Sequence, residues 1–177
     1  MAPQVGIIVG SASDLGVASK ASETLAEFGV EYEVGVASAH RTPADVVNYA
    51  SSAEGRGIKV VIAMAGLSAA LPGVIAAHTT LPVIGVPIAS GPLSGSDALL
   101  AIAQMPPGIP VASMGIDGAK NAALMALRII ALQDKTIHEA LLAWSMKSAE
   151  TVRGSRKKIL DIPGMTQVPD KVFSGNH

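Results

Sequence analysis

The 177-residue chain contains no cysteine, which excludes disulfides, thiol nucleophiles and thiolate-held metal. Aromatic residues make up 3%, too few for the stacking platforms on which single-stranded nucleic acids are held. Charged residues reach only 15%, the formal net charge is -1 and no long basic run occurs, so neither a nucleic acid nor an anionic membrane is an expected partner. No apolar stretch approaches the roughly 20 uninterrupted residues of a membrane helix, and no positive segment precedes the first apolar run, Val5 to Val9. A cytoplasmic location is expected. Histidines at metal-ligand spacing and carboxylate clusters beside a histidine are also missing, so no metal is expected.

What is present is apolar and small. The length suits one domain that buries about 70% of its unfolded surface. Low charge combined with a positive mean hydropathy is unusual for a monomer and points to surface buried between subunits. Five β-branched runs recur, Val5 to Val9, Tyr32 to Val36, Lys59 to Met64, Pro82 to Val86 and Val111 to Ile116. They are apolar nearly throughout, as strands of a parallel sheet covered on both faces are. Alanine-rich helical segments follow each in turn, at about Asp14 to Phe28, Pro43 to Glu54, Ser68 to Ala77, Ser94 to Gln104 and Ala119 to Leu132. Right-handed crossovers then give a three-layer α/β/α domain. Within it, residues 1–134 form the catalytic part. Residues 135–177 add a C-terminal helix and tail. Thr136-Ile137-His138-Glu139 has the form of a capping box for that helix, and Leu141, Leu142, Trp144 and Met146 give it an apolar stripe suited to a neighbouring subunit or to its own domain. From Ile162 onward the tail, with Pro163, Gly164, Pro169 and Gly175, shows no periodicity.

Chemistry concentrates in the strand-to-helix loops, where open α/β sheets keep their ligands. After the second strand, Ser38-Ala39-His40-Arg41-Thr42-Pro43 sets an imidazole beside a guanidinium, with Thr42 as a candidate cap and Pro43 suited to the first helical turn. An imidazole passes protons near neutrality, and a guanidinium offers a planar fork to phosphate or carboxylate. A merely solvated capping loop is the plain alternative. After the first strand, Gly10-Ser11-Ala12-Ser13-Asp14 provides small residues, hydroxyls on Ser11 and Ser13, and a helix start, a setting for phosphate, with Asp14 placed to grip a diol; the same residues also make an ordinary cap. After the third strand, Ala65 to Gly73 is an uncharged turn that can wrap a planar ring, with Gly66, Ser68 and Leu71 as candidate contacts and tight helix-to-sheet packing as the alternative. The loop Ala89 to Asp97 reads as flexible, a lid or an inter-subunit contact. Gln104 and Met105 could reach a pocket wall, and Lys120 and Asn121 could face a ligand from the start of the fifth helix. His78 and His138 read as structural.

In order and spacing, Gly-Ser-x-Ser-Asp, Ser-Ala-His-Arg-Thr-Pro, Leu-Pro-Gly, Leu-Pro-Val-Ile-Gly-Val-Pro and Gln-Met-Pro resemble the aminoimidazole ribonucleotide carboxylase/mutase family of de novo purine synthesis, over about residues 4 to 134. The resemblance implies a flavodoxin-like domain, a homo-octamer with sites at subunit junctions, a ribonucleotide substrate and no cofactor. It further implies that Ser11, Asp14, Ser38 and Arg41 hold the phosphate and ribose and that His40 carries the proton. One loop departs from the mutase pattern. Where bacterial mutases usually read Gly-Ala-Gly-Gly-Ala-Ala-His-Leu-Pro-Gly, this chain runs Met64 to Gly73 with Ala70 in place of the second histidine. The direct carboxylase branch reads Ala-Gly-Arg-Ser-Asn-Ala-Leu there, and Leu67 and Ala69 replace its Arg and Asn. Arg41-Thr42-Pro43 sides with the mutase, the expected activity, with carboxylation by free carbon dioxide as the alternative. A flavin or nucleotide binding module without catalysis is the reading from another class, and the scarcity of aromatics weighs against it.

Overall fold

The computed structural model describes residues 2–173 and divides into two compact units, Met1–His138 and Glu139–His177. The first holds a five-stranded parallel sheet, ordered β2-β1-β3-β4-β5. Its strands are β1 (Val5–Val9), β2 (Tyr32–Val36), β3 (Val60–Gly66), β4 (Val83–Ile88) and β5 (Ala112–Ser113). The helices that follow them are α1 (Leu15–Glu27), α2 (Pro43–Ala53), α3 (Leu71–Ala76), α4 (Ser96–Ala103) and α5 (Ala119–Ile130). This is the flavodoxin-like order, with helices on both faces.

Register explains the two cores. Val5, Ile7 and Val9 of β1 lie opposite Val60, Ile62 and Met64 of β3, so alternate residues of both strands share a face. One face, with Ile8, Val61, Ala63 and Ala65, is covered by Val46, Ala50 and Ala53 of α2, Leu71 and Ile75 of α3, and Ala98 and Ile102 of α4. On the other face α1 packs against α5. Ala18, Ala21 and Leu25 of α1 and Ala119, Ala122, Ala123, Ala126, Leu127 and Ile130 of α5 are buried there at helical spacing. The alanines leave little side chain between helix and sheet. Gly85 does the same within β4, since a Cβ there would collide with Ile102 of α4. The edge strand β2 is less covered, and Val34 and Val36 remain 45% and 55% exposed.

The expected fifth strand shrinks to two residues. After Ser113 the chain bends through Gly115, and Asp117 adopts a left-handed φ of 55°. The Met114 N–H still donates to the Gly85 carbonyl and the Asp117 N–H to the Pro87 carbonyl, at 2.9 and 2.8 Å. Because β5 ends before reaching Pro87, the N–H that proline lacks has no ladder partner to serve, and proline is tolerated in β4. The third helix starts at Leu71 rather than Ser68, because Leu67 takes a left-handed φ of 54° and the Ala69 and Ala70 N–H groups close short turns onto the Leu67 and Ser68 carbonyls. The sixth helix, α6 (Lys135–Ser155), is not capped by Thr136. The Asp134 carboxylate accepts from the Thr136 and Ile137 N–H groups at 3.0 and 3.1 Å, two residues before the cap that the capping box implied.

In the second unit, Leu142 and Met146 of α6 are 54% and 67% exposed. A 3₁₀ segment, Arg156–Asp161, follows, and the tail expected to be aperiodic contains one short helix, α7 (Asp170–Phe173). Gly175 lies outside the described residues. No helix among the described residues is long and apolar enough to cross a membrane.

Candidate active site

The carboxyl ends of β1, β2, β3 and β4 open into one cavity of about 530 Å³, within the size range of small-molecule sites. Gly10, Ser11, Ser13 and Asp14 line it from the β1 loop, and Ser38, Ala39, His40 and Arg41 from the β2 loop. Ala65, Gly66, Leu67, Ser68, Ala70 and Leu71 contribute from the β3 loop, and Ser90 from the β4 loop. All nine residues expected at the site, His40, Ser11, Ser13, Asp14, Ser38, Arg41, Gly66, Ser68 and Leu71, therefore meet in one place.

The β1 loop is a 3₁₀ turn, Ala12–Asp14, leading into α1. Extended backbone at Ser11 lets its hydroxyl accept from the Ser13 N–H at 3.4 Å, and the Ser13 hydroxyl donates to the Asp14 carboxylate at 3.0 Å. Asp14 is buried, so its carboxylate is held by this turn rather than swinging in solvent. The β2 loop is clasped by Thr42 in a way the sequence did not indicate. Thr42 does not cap α2 with its side chain; its hydroxyl accepts from the Ser38 N–H at 3.0 Å and donates to the Ser38 carbonyl at 3.3 Å. Pro43 does occupy the first helical turn. Inside the clasp, the Ser38 hydroxyl accepts from the Arg41 N–H and Nε at 3.3 and 3.4 Å. Arg41 Nη2 reaches across to donate to the Gly10 carbonyl at 3.3 Å. The guanidinium thus ties the β2 loop to the end of β1 and keeps further N–H donors for a ligand. His40, beside it, is exposed, and its imidazole makes no hydrogen bond to any described residue, leaving both ring nitrogens available.

The β3 and β4 loops interlock. The Leu67 side chain packs over Gly91, and the Ser90 hydroxyl lies against Gly66 where any Cβ would collide with it. Asp117 fixes the second of these loops, its carboxylate accepting from the Ala89 N–H at 3.0 Å. Ser90 is the lining residue with a polar side chain that the sequence reading did not single out; its signal was position, since each other site loop also follows directly on a strand end.

Other candidates fall elsewhere. Met105 packs on Gly73 of α3, and neither it nor Gln104 lines the cavity. Lys120 and Asn121 are outside it as well. The His78 Nδ1 bonds the Val74 carbonyl at 2.9 Å, a local helix-end contact. Among the described residues, no cluster of three or more histidine, aspartate or glutamate side chains is placed to hold a metal ion.

Charged and strongly polar groups are confined to the β1 and β2 ends of the cavity, while the β3 and β4 ends offer small apolar surface and two serine hydroxyls. Such a division suits a ligand with an anionic, hydroxylated end and a planar, weakly polar end.

The chain is similar to known proteins in sequence and in fold. An N5-carboxyaminoimidazole ribonucleotide mutase of Pyrococcus abyssi is 60% identical over 139 residues, 78% of this chain and 80% of the relative. The protein of that name from Pyrococcus horikoshii is 54% identical over 157 residues, 89% of each chain. Among solved structures, Treponema denticola PurE superposes with a TM-score of 0.81 at 34% identity, covering 89% of this chain and 98% of its own. The model of the AIR carboxylase family matches residues 4–151, across the whole sheet and every loop that lines the cavity. By sequence and by fold, the chain belongs to the AIR carboxylase family.

Proposed function

We propose that this protein is an N5-carboxyaminoimidazole ribonucleotide mutase, an isomerase of purine biosynthesis that moves a carboxyl group from the exocyclic amine to the imidazole ring. The product is 4-carboxy-5-aminoimidazole ribonucleotide. The observation that carries this reading is the cavity itself, in which one imidazole, His40, shares a single lining with the polar residues Ser11, Asp14, Ser38 and Arg41 and the apolar residues Ala65, Leu67, Ala70 and Leu71. The shared name of relatives 45–60% identical supports it.

The reaction follows from these groups. Arg41 and the Ser11 to Asp14 turn hold phosphate and ribose, which makes each later step effectively unimolecular. When the carbamate C–N bond breaks, its electron pair stays on nitrogen, which takes a proton from the His40 imidazolium, and carbon dioxide is left in the cavity. The enamine-like ring carbon then attacks carbon dioxide, forming the C–C bond. Neutral His40 removes the ring proton and restores aromaticity. One proton is given and one returned, so the sequence closes as an isomerisation without a co-substrate. Because Ala70 stands where the related pattern has a second histidine, His40 performs both transfers. The apolar surface of Ala65, Gly66, Leu67, Ala70 and Leu71 favours neutral carbon dioxide over its hydrated form.

The working assembly is a cytoplasmic homo-octamer that needs no cofactor, a reading supported by the family and by the exposed apolar residues Val34, Val36, Leu142 and Met146. The deciding experiment offers purified protein either the freshly made carbamate or aminoimidazole ribonucleotide with excess bicarbonate. Faster initial product formation from the carbamate, above its spontaneous breakdown, is expected. Turnover of the second mixture alone would make the protein a direct carboxylase.

A further inference from the structure

We propose that Ser90 binds the migrating carboxyl group, donating its hydroxyl to a carboxylate oxygen and holding the released carbon dioxide against the ring. The proposal rests on the mutase reading and assigns the one strand-end loop which that mechanism leaves unused.

Three observations lead to it. First, the hydroxyls at the β1 and β2 ends belong to the polar half of the site: Ser13 donates to Asp14, while Ser11, accepting from Ser13, and Ser38, accepting twice from Arg41, keep their O–H groups for phosphate and ribose. Ser68 and Ser90 are the cavity hydroxyls with no hydrogen bond to any described residue. Second, only one of these two is fixed. Ser68 is exposed and follows the left-handed Leu67, whereas Ser90 is half-buried against Gly66, and the Ala89 N–H is tied to the Asp117 carboxylate at 3.0 Å. Third, Gly66 is bare where a Cβ would take the place of the Ser90 hydroxyl and would also stand 3.3 Å from the Ile88 carbonyl. The site therefore keeps room for one positioned donor at its apolar end.

The chemistry needs such a donor there. A carboxylate in an apolar corner requires a hydrogen bond, yet a strong cation would over-stabilise it and resist its loss as carbon dioxide. A single neutral hydroxyl serves both states. It also orients linear carbon dioxide so that its carbon faces the ring, which shortens the interval in which the gas can escape.

The test uses the full-length protein, with the carbamate substrate labelled by ¹³C in its carboxyl group and assayed in unlabelled bicarbonate. Parent enzyme should deliver the label to the product. Ser90→Ala should keep its melting profile and a KM within about twofold of the parent, because the ribonucleotide anchors are untouched. Its kcat should fall by about 10- to 100-fold, and product should lose label as released carbon dioxide exchanges with the medium. Gly66→Ala, which retains the serine but displaces its hydroxyl, should reproduce both effects. Full label retention with near-parental kcat in either variant overturns the assignment of Ser90 alone. A parent that makes no product from the carbamate overturns the mutase reading and this proposal with it.

Discussion

The side chain of Leu67 lies across Gly91, so closely that a Cβ at position 91 would stand 2.5 Å from Leu67 Cδ2. Both residues have left-handed backbone, φ 54° at Leu67 and 66° at Gly91. Only the glycine adopts that conformation freely; a left-handed leucine costs about 1–2 kcal/mol. The β3 loop thus accepts local strain to set an aliphatic side chain at the rim of the cavity.

The two positions should be energetically coupled. Gly91→Ala adds backbone strain and a clash with Leu67, about 2 kcal/mol together. In a Leu67→Gly background the clash disappears, and the same substitution should cost about half as much. Leu67→Gly alone should raise stability by about 1 kcal/mol through relief of its backbone. Urea unfolding of the four proteins in the cycle measures this, and strictly additive effects would show that the two loops do not interlock.

His40→Asn should leave fold and ligand affinity intact, because the clasp between Thr42 and Ser38 and the reach of Arg41 to Gly10 do not involve the imidazole. Turnover should fall by at least about 10²-fold. Near-normal turnover by steady-state assay would remove His40 from proton transfer.

How far this site could be read from sequence depended on whether each feature was local. β1 and β2 match their expected bounds residue for residue, since short stretches of strand-favouring residues bounded by turn residues need no distant partner to be read. The nine site residues lie between the carboxyl ends of three strands, Gly66 being the last residue of β3, and the starts of the helices that follow, Leu71 being the first residue of α3, and the parallel topology alone converges them. Failures came from distance. Ser90 sits in a segment whose Gly, Pro and Ser content reads as flexible, but it is held by Asp117, whose carboxylate bonds the Ala89 N–H across 28 positions. The same Asp117 turn ends β5 early. At α6 sequence offers both Asp134 and Thr136 as caps and geometry chooses the first, while the Thr42 hydroxyl turns back to the Ser38 backbone instead of capping α2.

Arg41→Ala should weaken ribonucleotide binding by about 1.5–3 kcal/mol, the loss of a charge-assisted contact. It should also loosen the β2 loop, because the bonds to Ser38 Oγ and the Gly10 carbonyl go with the side chain. Arg41→Lys should recover little, as a lysine has no fork to bridge loop and ligand together. Titration calorimetry showing parental affinity in the alanine variant would refute the anchoring role.

Away from the site, the Tyr49 ring lies beneath the Arg56 guanidinium at 4.9 Å, and its hydroxyl, buried over Gly6, has no hydrogen-bond partner among the described residues. Burial first, then the nearby Glu33 carboxylate, pushes the phenol above its ordinary range, against the pull of Arg56. A raised folded-state value means that the unfolded chain ionises first as pH rises past about 10. The stability this group contributes is therefore present below that pH and is lost above it. Tyr49→Phe should be within about 1 kcal/mol of the parent near neutrality, since the hydroxyl it removes is unpaired. Between pH 8 and 10.5 it should lose less stability than the parent in urea unfolding; equal losses would place the phenol in a water-like setting.

The state of assembly is the last expectation to test. On β2, Val34 and Val36 stay 45% and 55% exposed at the edge of the sheet, and Leu132 after α5 is 83% exposed. In the second unit, α6 leaves Leu142 and Met146 uncovered over one helical turn. Leaving apolar surface in water costs about 25 cal/mol per Å², and with charged residues at only 15% of the chain few polar side chains are available to screen it. A second copy of the chain is the cover that a symmetric oligomer supplies. Light scattering on purified protein should give a mass several times that of the 17.9 kDa chain, eight copies by family resemblance. Leu142→Glu combined with Met146→Glu should lower that mass without unfolding the sheet, if α6 lies at a subunit contact. A stable monomer of the parent at micromolar concentration would defeat the expectation, and the cavity at the strand ends would then have to work within a single chain.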